Sequence, residues 1–171
     1  GATNLMTGVA DANLDKSPLV AITGQMGLSQ VHKESHQYLD IVSLFRPITK
    51  WNTAISSPDA VAEAVRKAFK VAESEKPGAA HIELPEDVAK METSGKPIAV
   101  HRVRRPDPDQ HALKEAVSLI SQAKKPLVLA GNGAVRKPAS DQLRELVGRC
   151  HMPIAHTFMG QGAVSDDSPE S

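Results

Sequence analysis

The run SPDAVAEAVRKAFKVAESEKPGAAHIELPEDV, residues 57–88, decides the fold. Its first half reads as a helix. Ser57 supplies a cap, Pro58 suits the first turn, and Asp59 complements the positive end of the helix dipole. Val61, Ala64, Val65, Ala68, Phe69 and Ala72 recur at helical spacing and predict one buried stripe. The second half, Ala79 to Leu84, is a short apolar run closed by Pro85, the pattern of a buried strand. A helix feeding directly into such a strand is the repeating element of an α/β fold.

The same alternation extends in both directions. Leu19 to Thr23 forms an apolar run ended by Gly24, Leu127 to Ala130 one ended by Gly131, and Ile154 to Phe158 one that stops before Gly160. Continuous short runs between helices predict parallel strands covered on both faces, a doubly wound three-layer α/β arrangement. Asp107-Pro108 opens a second helix whose Leu113, Ala116, Val117 and Ile120 are expected to face inward. A third helix, starting near Pro138, is expected to bury Leu143, Leu146, Val147 and Cys150. Between Val88 and Pro108, Gly95, Pro97 and Pro106 interrupt any periodicity, and Arg102, Arg104 and Arg105 make a solvated basic cluster. The organisation expected is therefore one α/β unit over residues 1–88, a linker over 89–108, and a second unit over 109–171. Neither looks complete, which suggests a piece of a longer chain.

Composition narrows the class. Twenty basic and twenty acidic side chains cancel, and aromatics make up 3% of 171 residues, so neither a basic surface nor stacking platforms favour nucleic acid. No apolar run approaches the ~20 residues of a membrane span. The lone Cys150 cannot form an internal disulfide and reads as a small core residue in a reducing, cytoplasmic setting. His151 and His156 are too isolated to make a zinc set. His81, inside an apolar strand, is expected to be a hydrogen-bonded core residue, and Phe45 and Trp51 to pack in the core or at an interface.

Three places could carry chemistry. Gly1-Ala2-Thr3-Asn4 reads as a turn at a helix N-terminus, where free N–H groups meet electron-rich ligand atoms; taken alone, Thr3 or Asn4 capping the helix explains it better. The polar loop from Ser29 to His36 leads to Gln37, at the carboxyl end of a strand, where α/β sheets bind ligands. Gly131-Asn132-Gly133 follows a strand and precedes a helix, as phosphate loops do. It lacks the full GxGxxG spacing and a following acid, so a bare Rossmann-like unit and an FAD site both remain open.

GATNLMTGVADANLDKSPLVAITGQ, then HKESHQYLDIVSLFRPITKWN and KPGAAHIELPEDV, resemble acetolactate synthase large subunits, which are thiamine-diphosphate-dependent carboligases. KPLVLAGNGAVR and PIAHTFMGQGAV carry the resemblance more loosely toward residue 171. It implies the later part of a pyrimidine-binding domain followed by the start of a Rossmann-like central domain. By motif, Gly1, Asn4 and Gln37 would line the thiamine diphosphate pocket, with Gln37 the catalytic residue nearest the reacting carbon. His36 would border the substrate, as in the catabolic, FAD-independent branch. The implied reaction decarboxylates pyruvate and joins the two-carbon unit to a second 2-oxoacid, in branched-chain amino acid synthesis or acetoin formation. Another carboligase or oxidase of the superfamily is the alternative, and a non-catalytic nucleotide-binding module stands further off. Mg²⁺ and the cofactor's diphosphate would be held by a carboxyl-terminal domain, and the proton-shuttling glutamate would lie upstream, so the isolated chain is expected to be inactive. A homodimer or higher assembly and a regulatory subunit are the implied partners. Two departures stand out. Glu86 replaces the Lys of biosynthetic members, and Lys76 replaces an Arg that contacts FAD, which weakens an FAD assignment because Lys lacks the planar guanidinium fork.

Overall fold

The structure, a computed structural model, describes residues 1–33, 36–100, 106–137 and 139–171. Arg102, Arg104 and Arg105 of the expected basic cluster, and Pro138, lie outside the described residues. The chain divides into two compact units, Gly1–Arg104 and Arg105–Ser171.

In the first unit, helix α1 (Ala2–Leu14) leads into strand β1 (Leu19–Gln25), a loop, and the short helix α2 (Ile41–Phe45). Strand β2 (Trp51–Ala54), helix α3 (Val61–Glu73), strand β3 (Ala79–Pro85) and the short helix α4 (Glu86–Lys90) follow. The three strands are parallel, in the order β1-β3-β2. β3, in the centre, is buried along nearly its whole length, as expected of a parallel strand covered on both faces.

Alternation along the strands sorts the core into two halves. Ala80 and Ile82 face Ala68 and Ala72 of α3, together with Ile55 and Val88. Ala79 and Ala21 face the other way, toward Val9 of α1 and Ile41 and Phe45 of α2. Helices therefore cover both faces, the three-layer α/β arrangement expected from the sequence.

Several details depart from the sequence reading. β2 was not foreseen: at four residues, with Asn52 and Thr53 inside it, it carries too little apolar sequence to announce a strand. Phe69 is half exposed, lining the groove beside α3 instead of the core. α1 is capped by Gly1 without a side-chain bond, so neither Thr3 nor Asn4 caps it. Ser57 begins a 3-10 turn (Pro58–Ala60), and α3 proper starts at Val61.

The second unit holds helix α5 (Gln110–Gln122), strand β4 (Val128–Ala130), helix α6 (Ala139–Cys150) and strand β5 (Ile154–His156). β4 and β5 are parallel. Asp109, two residues later than the sequence suggests, caps α5 by accepting a bond from the Ala112 N–H at 2.8 Å. The expectation that Leu113, Ala116, Val117 and Ile120 face inward is not met, because every residue of α5 is exposed. Strands of three residues offer ~10 Å of apolar face, against the ~20 Å length of the helix. α6 buries Val147 but leaves Leu146 and Cys150 exposed. At ~100° per residue Cys150 sits ~60° round from Val147, toward the polar side occupied by Gln142, Glu145 and Arg149. The core-cysteine reading is thereby corrected.

Candidate functional site

The carboxyl edge of the first sheet is built by a column of polar residues rising through the α1/α2 face. Thr23 and Gln25 on β1, and His81 and Glu83 on β3, all point to this side. Thr23 lies opposite Glu83 in the strand register, and Ala21 opposite His81. Each polar pair forms on the same diagonal. Thr23 Oγ1 is 2.8 Å from His81 Nε2, and Gln25 Nε2 donates to Glu83 Oε2 at 3.3 Å.

Gln25 does more than end the strand. Its Nε2 also donates to the Leu39 carbonyl at 2.8 Å, and its Oε1 accepts from the Met26 N–H at 3.1 Å. Asp87, at the start of α4, accepts from the Leu28 N–H at 2.8 Å. Gly27 passes so close to Asp87 that a Cβ there would lie 3.3 Å from the carboxylate. The loop between β1 and α2 is thus fastened at one end to Asp87, just after β3, and at the other to Gln25, the last residue of β1. Asp40 closes it by capping α2 through the Ser43 N–H at 3.0 Å, and its hydrogen bonds to Ser43 hold its carboxyl below the usual range.

This loop carries His36 and Gln37, both exposed. Gln37 adopts φ +67°, the left-handed region that non-glycine residues seldom enter. Such a conformation costs on the order of 1 kcal/mol and persists where the surrounding chain dictates it.

α1 reaches the same edge from the other direction. It joins β1 through a short connection at the amino end of the strand, and it packs along β1 and β3. Thirteen helical residues span ~20 Å and seven strand residues ~23 Å, so the start of α1 returns to the level of Gln25. Ala2 and Met6 pack against the cluster containing Ile41 and Phe45, directly after the Gln37 loop. The first-turn N–H groups of Ala2 and Thr3 have no acceptor within the helix. Among the described residues the Asn4 carboxamide has no hydrogen-bond partner. Gly1 is exposed, and a Cβ there would meet nothing, so its place is not dictated by packing.

The edge therefore offers uncharged donors and acceptors: helix-end N–H groups and two carboxamides. That set suits the ring nitrogens and amino group of an aminopyrimidine, and the first-unit residues fit the ring end of thiamine diphosphate. Among the described residues no group of three or more His, Cys, Asp or Glu side chains could hold a metal ion. A groove of about 780 Å³ lies elsewhere, between α3 and the segment after it, where Val61, Val65, Phe69, Ile98 and Val100 are joined by the charged Arg66, Lys70 and Lys96. It shares no residue with the polar column of the sheet edge.

The remaining candidates sit apart. Gly131-Asn132-Gly133 enters a 3-10 turn (Asn132–Val135) in which the Ala134 N–H is spent on the Gly131 carbonyl at 2.9 Å. The described part of α6 starts at Ala139, four residues beyond the end of this turn. Glu86 is ion-paired with Lys90 on the exposed side of α4. Gln25, Glu83 and Asp87 went unnoticed in the sequence. The signal available was the repeat of polar residues two apart at Thr23/Gln25 and His81/Glu83, inside otherwise apolar runs.

Residues 1–44 match the family described as thiamine pyrophosphate enzyme, N-terminal TPP binding domain, and residues 113–171 match its central domain. A probable acetolactate synthase large subunit of Methanococcus aeolicus is 38% identical over 99% of the chain and 29% of its own length. The acetolactate synthase of Mycobacterium bovis is 38% identical over 97% of the chain and 28% of its own. The isozyme 1 large subunit of Escherichia coli is 33% identical over the whole chain and 30% of its own. The chain thus spans about three tenths of the length of the curated relatives it matches. It belongs to the thiamine pyrophosphate enzymes, whose N-terminal and central domains it matches in part.

Proposed function

We propose that this chain is part of an acetolactate synthase, which decarboxylates pyruvate and joins the two-carbon unit to a second 2-oxoacid. The support is the convergence of α1's open N-terminus, with Asn4, and the anchored loop bearing Gln37 on one sheet edge. Thiamine diphosphate, when bound, supplies the electron sink that decarboxylation needs. The chain's own residues would hold the aminopyrimidine ring through Gly1, Asn4 and the first-turn N–H groups. Gln37 would sit beside the reacting substrate, and its uncharged amide can orient a 2-oxoacid carbonyl without trapping the carboxylate that must leave. His36, next in sequence, would border the same pocket.

Mg²⁺ and the diphosphate would be bound by parts of the protein outside this chain, and a homodimer would complete the site. Lys76 in place of arginine, and the closed turn after Gly131, argue against an FAD requirement. The test is product analysis of the full-length enzyme on pyruvate with thiamine diphosphate and Mg²⁺, with and without FAD. Acetolactate formed without FAD is the expected result. Release of acetate, or formation of tartronate semialdehyde from glyoxylate, would point to another member of the superfamily.

A further inference from the structure

We propose that Gln25, backed by Glu83, is a positioning residue that holds the loop between β1 and α2 so that Gln37 faces the substrate. The inference rests on the functional reading of Gln37 given above. Gln25 is buried, yet its side chain makes three hydrogen bonds, one of them to the Leu39 carbonyl, two residues beyond Gln37. Glu83 supplies the second acceptor that fixes the amide's orientation, and it too is buried. Asp87 anchors the other end of the loop at Leu28. With both ends fixed, the left-handed backbone at Gln37 is imposed by the frame around it.

The separation of roles is chemical. Gln25 lies within the fold and is buried, so it cannot touch a substrate, whereas Gln37 is exposed on the loop it anchors. Gln25 therefore acts only through where it sets Gln37. A displacement of about 1 Å at a reacting group can lower a rate by about 100-fold, so a lost anchor should be visible in catalysis.

The experiment is a double-mutant cycle in the full-length enzyme with Gln25→Met, Gln37→Ala and the pair, reading kcat/KM for pyruvate. Methionine preserves the shape of the side chain and removes both N–H donors. Gln25→Met should lower kcat/KM by about 10- to 100-fold, and the pair should be no worse than Gln37→Ala alone. Glu83→Gln, which keeps an acceptor for Gln25, should retain near-wild-type activity. Should Gln25→Met fail to fold, Glu83→Ala, which leaves the bond to Leu39 in place, runs the same cycle with a smaller expected loss. Multiplicative losses in the pair, or an unchanged Gln25→Met enzyme beside a crippled Gln37→Ala, overturn the positioning role and leave the functional reading standing. An unchanged Gln37→Ala enzyme overturns both.

Discussion

His81 Nε2 lies 2.8 Å from Thr23 Oγ1 across the β1–β3 ladder, while its Nδ1 is buried with no partner among the described residues. The ring stacks on Phe45 with centroids 4.1 Å apart. A fully buried imidazole with one hydrogen bond and an aromatic neighbour cannot readily take a second proton. Burial accordingly pushes its pKa down to about 4.

That shift makes stability depend on pH with a definite sign. Between the unfolded value of about 6.5 and the folded value of about 4, the unfolded chain binds one proton more than the native one. Stability is full above pH ~6.5 and falls by up to about 3 kcal/mol as pH drops toward 4. Burial raises the pKa of Glu83, which works the other way: its stabilising share is present at low pH and lost as pH rises above its unfolded value. Comparing wild type with His81→Gln isolates the histidine. Urea unfolding read by Trp51 fluorescence, at pH 7 and pH 4.5, should show a pH-dependent loss that the variant largely lacks. Equal slopes in the two proteins would contradict the assignment.

Phe45 has no exposed surface and joins α2 to the sheet. Phe45→Ala should cost about 3–5 kcal/mol through lost burial and the cavity left behind. The same fluorescence titration measures it, and a loss under 1 kcal/mol would show that the cluster collapses around the gap.

Gly160 comes so close to the end of β4 that a Cβ would lie 2.3 Å from the Ala130 carbonyl oxygen. Gly160→Ala must therefore displace backbone, at a cost of roughly 1–3 kcal/mol. Faster hydrogen exchange at residues 128–130, with β3 amides unchanged, is the expected signature. Unaltered exchange there would mean that the turn absorbs the methyl group.

The first unit was legible because its buried runs are long enough to carry a pattern. Ala79 to Leu84 reads as a core strand, and Ala68 and Ala72 lie on the stripe that covers it. β2 escaped because Asn52 and Thr53 hide a four-residue strand whose burial comes from its neighbours. Cys150 and Leu113 misled for a related reason: periodicity says which residues share a face, while only the surrounding chain says whether anything covers it. Asn4 and Gln37 were singled out by their place in a family motif. Gln25 and Glu83 left only the trace of polar residues two apart inside apolar runs, because their pairing runs diagonally between strands that sequence distance keeps apart.

The central claim is that Gln37, set on its anchored loop, acts on the substrate. Its most direct test is the carboligation rate of the full-length Gln37→Ala enzyme on pyruvate at saturating thiamine diphosphate and Mg²⁺. The account predicts a fall of at least roughly tenfold, as for loss of a positioned polar group in the reacting site, with the fold intact. A rate equal to wild type would remove Gln37 from the chemistry.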